Sequence, residues 1–165
     1  IKMTLNPFVM GSAKKIGCFD EDPPCTLEQT SMCVISVTQK QDPQSKFPGQ
    51  DKYVPWLVCM DSSKDKITEC HEKAGVDAAA VSRCMSSDAP QLVEQYLQID
   101  KHIGQTPTVH INGKNLKSLS YRSISKAICG ADPSLKGCSS DTQMPEWADW
   151  EPSVEQLPKV HSEVV

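Results

Sequence analysis

The chain has 165 residues, a formal net charge of −4, and eight cysteines. That length suits one domain with a real core. No stretch approaches the roughly 18 apolar residues of a membrane span, and no Lys/Arg run offers a basic patch for nucleic acid. No signal peptide is recognisable, and the opening on Ile1 fits a mature product or part of something longer.

In chain order, "IKMTLNPFV" alternates Ile1, Met3 and Leu5 with Lys2, Thr4 and Asn6, a period of two that predicts a strand ended by Pro7. Residues 11 to 55 are rich in Gly, Ser, Pro and Lys and read as loops held by cysteines. "PWLVCM" (55–60) is too short to assign by period. "DSSKDKITECHEKAG" predicts a helix capped by Asp61 or Ser62, with Ile67, Cys70 and Ala74 on one face and Gly75 closing it. "DAAAVSRCM" predicts a second helix, with Asp77 as cap and Val81, Cys84 and Met85 inward. "SSDAPQLVEQYLQID" predicts a third, with Asp88 as cap, Pro90 in the first turn and a stripe of Leu92, Val93, Tyr96 and Leu97. In "TPTVHINGKNL", Asn112-Gly113 between β-formers predicts a tight hairpin. "SYRSISKAICG" predicts a short helix with Ile124, Ala127 and Ile128 inward and Gly130 at its end.

From Ser139 no period holds. Residues 139–165 carry six acids and one base, so nearly all the net charge lies there, beside Trp147 and Trp150. Composition alone allows a solvated tail; the paired tryptophans argue for docking on an apolar surface.

Cys18, Cys25, Cys33, Cys59, Cys70, Cys84, Cys129 and Cys138 are an even set, a density typical of an oxidising compartment. No Asn-x-Ser/Thr acceptor is present. Structural zinc sites want cysteine pairs two to four residues apart, and no pair is that close. His71, His102, His110 and His161 sit at no metal spacing, so neither metal nor cofactor is expected. Cys70 and His71 are adjacent and would point about 100° apart on a helix, which argues against a nucleophile–base pair. Thiol-disulfide exchange usually uses Cys-x-x-Cys at a helix start, and the chain has none. All eight cysteines are therefore read as disulfide residues. Among 105 pairings, Cys129 with Cys138 is favoured by the turn residues between them. Cys70 with Cys84 is the next expectation, because it would join two successive helices.

The cysteine spacing "CFDEDPPCTLEQTSMC" resembles the Cys-Gln-His-Gly-x-x-Glu-Cys-x-x-Asn-x-x-x-x-Cys signature of the gamma-interferon-inducible lysosomal thiol reductase family. Cys18, Cys25 and Cys33 keep both spacings, while Phe19, Asp20, Glu21, Pro24 and Glu28 replace the other signature residues. "PWLVCM", "ECHEKAGVDAAAVSRCMSS", "TPTVHINGK" and "ICGADPSLKGC" are similar to later family segments, so the resemblance spans about residues 1 to 138.

The resemblance implies an α/β, thioredoxin-like sheet with a helical insertion over 1–138, and an acidic tail over 139–165. It implies that Pro107, as a cis-proline, faces a redox pair and that the Thr106 backbone holds an extended substrate. It also implies that the first strand and the Cys-x-x-Cys helix lie upstream of Ile1. Two functions follow as expectations. One is a thiol-disulfide oxidoreductase acting on disulfides of a polypeptide substrate with that upstream pair. The other is a non-catalytic thioredoxin-like subunit or binding module of a larger lumenal assembly, meeting a protein partner through 139–165. The expected location is an oxidising lumen (endolysosomal, secretory or plastid) or the extracellular space.

Overall fold

A computed structural model of the chain describes residues 4–12, 14–18, 25–63, 66–100 and 108–138. The expected tail at 139–165 and the pair Thr106 and Pro107 lie outside the described residues. About 60% of what is described is helical, alongside two small antiparallel sheets. The residues fall in two compact units, Ile1–Gly104 and Gln105–Val165.

The first unit is organised around α1 (Thr26–Gln41). It packs against α2 (Gln50–Ser62), α4 (Ala78–Ser87) and α5 (Ala89–Asp100), while α3 (Ile67–Ala74) packs on α2. Apolar side chains of α1 point in two directions. Cys33, Val34, Ile35 and Val37 join Tyr53, Trp56, Met60, Cys70, Val81 and Cys84 in the larger core. Met32 joins Val9, Val93 and Leu97 in a smaller one against α5.

The reading of residues 11–55 as loops is therefore corrected, because α1 and the start of α2 occupy much of that segment. The reason is burial on nearly every side. Thr30, Ser31 and Thr38 are buried with the apolar residues, so no polar face marks a period. Each hydroxyl donates one turn back: Thr30 to the Thr26 carbonyl at 2.7 Å, Ser31 to that of Leu27 at 2.8 Å, and Thr38 to that of Val34 at 2.8 Å. A buried hydroxyl left without an acceptor costs about 1–3 kcal/mol, and this local bonding avoids that cost.

Helix α2 carries Pro55 in its interior; the proline cannot donate to the backbone of the preceding turn, and it lies on the exposed side of the helix. Gly49 precedes α2 at φ 68°, and a Cβ there would meet the Thr38 carbonyl carbon at 2.6 Å and the Gln39 nitrogen at 2.7 Å. Only glycine lets the two helices approach this closely.

The helix predicted from Asp61 begins later, at Ile67, because α2 runs through Ser62. Its predicted end holds: Gly75 donates to the Glu72 carbonyl and Val76 to that of His71, and Val76 is buried. Asp77 caps α4, accepting from the Ala80 N–H at 2.9 Å. Asp88 stands directly before α5 as expected, its carbonyl accepting from the Leu92 N–H, and its own N–H donates to the Cys84 carbonyl, so α4 runs almost directly into α5. The Val93 and Leu97 stripe is buried as expected, with Leu92 and Tyr96 packed beside it.

Residues 4–9 form no strand, and residues 1–3 of the expected strand lie outside the described residues. A strand needs a neighbouring ladder for its N–H and C=O groups, and among the described residues pairing begins only at Met10. There β1 (Met10–Ser12) pairs antiparallel with β2 (Lys15–Gly17).

The second unit is a hairpin followed by a helix. β3 (His110–Ile111) pairs antiparallel with β4 (Lys114–Asn115) across Asn112-Gly113, whose φ values of 50° and 76° are those of a primed turn. Helix α6 (Tyr121–Ala131) is capped by Ser120, whose hydroxyl accepts from the Ser123 N–H at 3.2 Å. Ile124, Ala127 and Ile128 lie on its half-buried side. The helix closes at Asp132, just past the expected Gly130.

Candidate functional site

The chemistry-bearing residues of this chain are its cysteines, and all eight are paired. Cys33 of α1 joins Cys84 of α4 at a Cα separation of 5.7 Å, and Cys59 of α2 joins Cys70 of α3 at 5.6 Å. Both bridges run along helix contacts already made by the core. The expected Cys70–Cys84 pair is thereby corrected. Helix α3 lies against α2, and α4 lies against α1, so the two cysteines face different partners. Cys129–Cys138 is found as expected, with a Cα separation of 5.3 Å, tying α6 to the short turn Lys136–Cys138.

The opening cysteine triplet divides. Cys18 pairs with Cys25 across 5.8 Å, while Cys33 turns into the core. Cys25 is fully buried and immediately precedes α1, at φ 59° and ψ 53°. Its carbonyl accepts from the Gln29 N–H at 3.0 Å. The Glu28 carboxylate stands beside the bridge: one of its oxygens and both sulfurs all lie within 4.8 Å of one another. Cys–Cys–Glu is a donor set that can hold a divalent cation only when both sulfurs are thiolates, and here they are bonded to each other.

Glu28 is the residue that sequence reading left without a role. Its signal was available: Glu28 stands three residues after the residue that precedes the helix, the spacing of a capping box. The helix itself was not recognised, so the spacing carried no meaning.

His71 of α3 is 7% exposed and stacked on Trp56, with ring centroids 5.8 Å apart. Among the described residues, the buried Trp56 Nε1 and His71 Nε2 have no hydrogen-bond partner. Burial holds the His71 imidazole below its ordinary range, so it packs as a neutral ring. His110 is exposed on β3, while His102 and His161 lie outside the described residues.

An open cleft of about 350 Å³ lies between Thr4, Gln39, Pro43, Phe47, Pro48 and Tyr53. Among the described residues that line it, Tyr53 is the one titratable side chain, and burial pushes its phenol up.

Four disulfides are what an oxidising compartment produces and a reducing cytosol removes. Among the described residues no helix is long and apolar enough to cross a membrane. No family model, curated protein or solved structure matches the chain.

Proposed function

We propose that the chain is the scaffold of a thiol-disulfide oxidoreductase-like protein related to the lysosomal thiol reductases, acting on disulfides of a polypeptide substrate. The observation that carries this reading is the order after Pro107: a strand, a primed hairpin and then a helix, α6, stapled by Cys129–Cys138. A thioredoxin-like domain ends on such a ββα unit, with its cis-proline just ahead of the first strand. In this reading Pro107 faces the redox pair and the Thr106 backbone pairs with an extended substrate. Helices α1 to α5 are then the insertion that resemblance to the family implies. The nucleophile comes from a Cys-x-x-Cys upstream of Ile1, and its thiolate attacks a substrate disulfide that the second thiol resolves.

A second reading rests on one specific observation: every thiol of this chain is already consumed in a disulfide. Together with the replaced signature residues at Phe19, Asp20, Glu21, Pro24 and Glu28, it favours a non-catalytic module in a lumenal assembly. An insulin-reduction assay on the intact protein separates the two. The reductase reading expects activity that disappears when either upstream cysteine is replaced by serine; no activity above the thiol background leaves the binding module. Endolysosomal, secretory and plastid lumens all suit either reading.

A further inference from the structure

Charge divides the second unit. Its described residues, 108–138, carry Lys114, Lys117, Arg122, Lys126 and Lys136 against Asp132 alone, a net charge of +4 in a chain whose total is −4. The described residues of the first unit show no such excess, with ten acids and eight bases. The single acid of 108–138 is engaged locally: the Asp132 carboxylate accepts from the Ser134 N–H at 3.1 Å and from its hydroxyl at 2.6 Å. A body of 31 residues has a radius of gyration of about 8 Å. That is within the Debye length of about 10 Å at 0.1 M salt, so its cations act together on an approaching anion.

Helix α6 gathers part of this charge in one place. Arg122, Lys126 and Cys129 follow one another at four and three residues, so they lie on one side of the helix. Arg122 and Lys126 are exposed, while Ile124, Ala127 and Ile128 take the half-buried side. Cys129 ends this stripe, and its disulfide holds Cys138 at a Cα separation of 5.3 Å. Lys126 stands three residues, about 4.5 Å of rise, before Cys129. The chain beyond Cys138 is thus anchored beside the basic stripe.

That chain is the acidic part of the protein. Residues 139–165 carry Asp141, Glu146, Asp149, Glu151, Glu155 and Glu163 against Lys159, a net charge of −5. Asp141 follows Cys138 by three residues and Glu151 by thirteen, a reach of up to about 10 Å and about 44 Å. Helix α6, with 11 residues, is about 16 Å long, so successive carboxylates can span it. Attachment at Cys138 makes the encounter intramolecular, at an effective concentration on the order of mM for a short linker. Charge pairs that are weak one by one then act in concert.

We propose that the acidic segment 139–165 docks on the basic stripe of α6 in its own chain and covers Arg122 and Lys126 until salt or a competing polyanion displaces it. The contact is electrostatic and involves no covalent step. It needs no redox pair, so it is independent of the thiol-disulfide reading. A partner that meets the protein through 139–165 has to compete with α6 for the same carboxylates.

The test is carbodiimide cross-linking of the intact, oxidised protein at low concentration and low salt, on an equal mixture of unlabelled and heavy-isotope-labelled chains. Linked peptides are read by mass spectrometry. Amide links from the acids of 139–165 to Lys126 should exceed those to any lysine of the first unit by at least about fivefold and should join peptides of one isotope. They should fall at least about threefold in about 0.5 M NaCl or with added dextran sulfate. Tethering alone also favours nearby lysines, so charge reversal decides. Arg122→Glu, which leaves Lys126 as the reporter, should cut its links at least about threefold. Adding Glu146→Lys/Asp149→Lys to that variant should restore linkage between the segment and α6. Links to Lys126 that ignore salt or Arg122→Glu overturn the proposal, as do links spread evenly over the lysines of both units. Links of mixed isotope in the statistical share mark a second copy as the occupant and overturn docking within the chain.

Discussion

Removing Cys33–Cys84 should cost more stability than removing any other bridge. The cross-link closes a sequence separation of 51 residues, and the chain-entropy relation gives about 4.1 kcal/mol for a loop of that size. Cys59–Cys70 lies inside that loop. Its presence shortens the effective path to about 41 residues and lowers the figure to about 3.9 kcal/mol. The same relation gives about 2.8 kcal/mol for Cys59–Cys70, about 2.6 for Cys129–Cys138 and about 2.4 for Cys18–Cys25, from separations of 11, 9 and 7 residues. The gap of about 1.1 kcal/mol between the first two is about sixfold in the folding equilibrium. The perturbation is the double variant Cys33→Ala/Cys84→Ala against Cys59→Ala/Cys70→Ala, each in otherwise oxidised protein. Urea unfolding followed by tryptophan emission gives both the midpoint and the slope. The slope should rise in the Cys33→Ala/Cys84→Ala protein, because its unfolded chain expands further. If Cys59→Ala/Cys70→Ala loses as much stability as Cys33→Ala/Cys84→Ala, or more, the unfolded-chain argument is wrong and native packing at the sulfurs dominates.

Gly49→Ala should destabilise the first unit by at least about 2 kcal/mol, since it adds a backbone clash to positive-φ strain. Gly75→Ala isolates the strain alone, because nothing lies within 4 Å of its Cβ position at φ 63°; it should cost about 1 kcal/mol, and equal losses in urea melts would refute the packing account of Gly49. Burial lowers the His71 pKa, so below about pH 6.5 the unfolded chain takes up the proton first. Its contribution to stability is full above that pH and falls as the pH drops, until the folded-state pKa is passed. The urea midpoint between pH 8 and 5 should therefore fall more in the wild type than in His71→Phe, and parallel curves would exclude this role. Asp77→Ala should lose about 1 kcal/mol through its cap on the Ala80 N–H, measurable as a lower midpoint with an unchanged slope.

The parts legible in the sequence are those fixed by local chemistry. Asp77 before an alanine run, Gly75 after a helix stripe and Asn112-Gly113 between β-formers each satisfy a nearby backbone need, and the structure uses each as read. The parts that escaped are fixed by burial. Helix α1 presents Thr30, Ser31 and Thr38 inward as readily as Val34 and Ile35. Its hydroxyls are satisfied by its own carbonyls, so polarity and burial are uncoupled along it, and a period search sees neither helix nor strand. Helix α2 escaped because "PWLVCM" is too short to show a period and the rest of its first turns lie in the segment read as loops.

The cysteine pairing shows the same division between local and long-range information. Cys129–Cys138 was legible because a short segment rich in turn residues can close on itself without help from the rest of the chain. Cys70–Cys84 failed because successive helices need not face each other. Once α1 is known to be the central helix, the pairing becomes far more constrained. Cys33 is its inward cysteine in the larger core, α4 lies against that face, and Cys84 is the cysteine α4 buries. Cys70 is then left to α2, where Cys59 lies on the contacting side. Cys25, at the entrance of α1 rather than on its core face, closes locally on Cys18. The long-range bridge thus follows from which helix is buried on nearly every side.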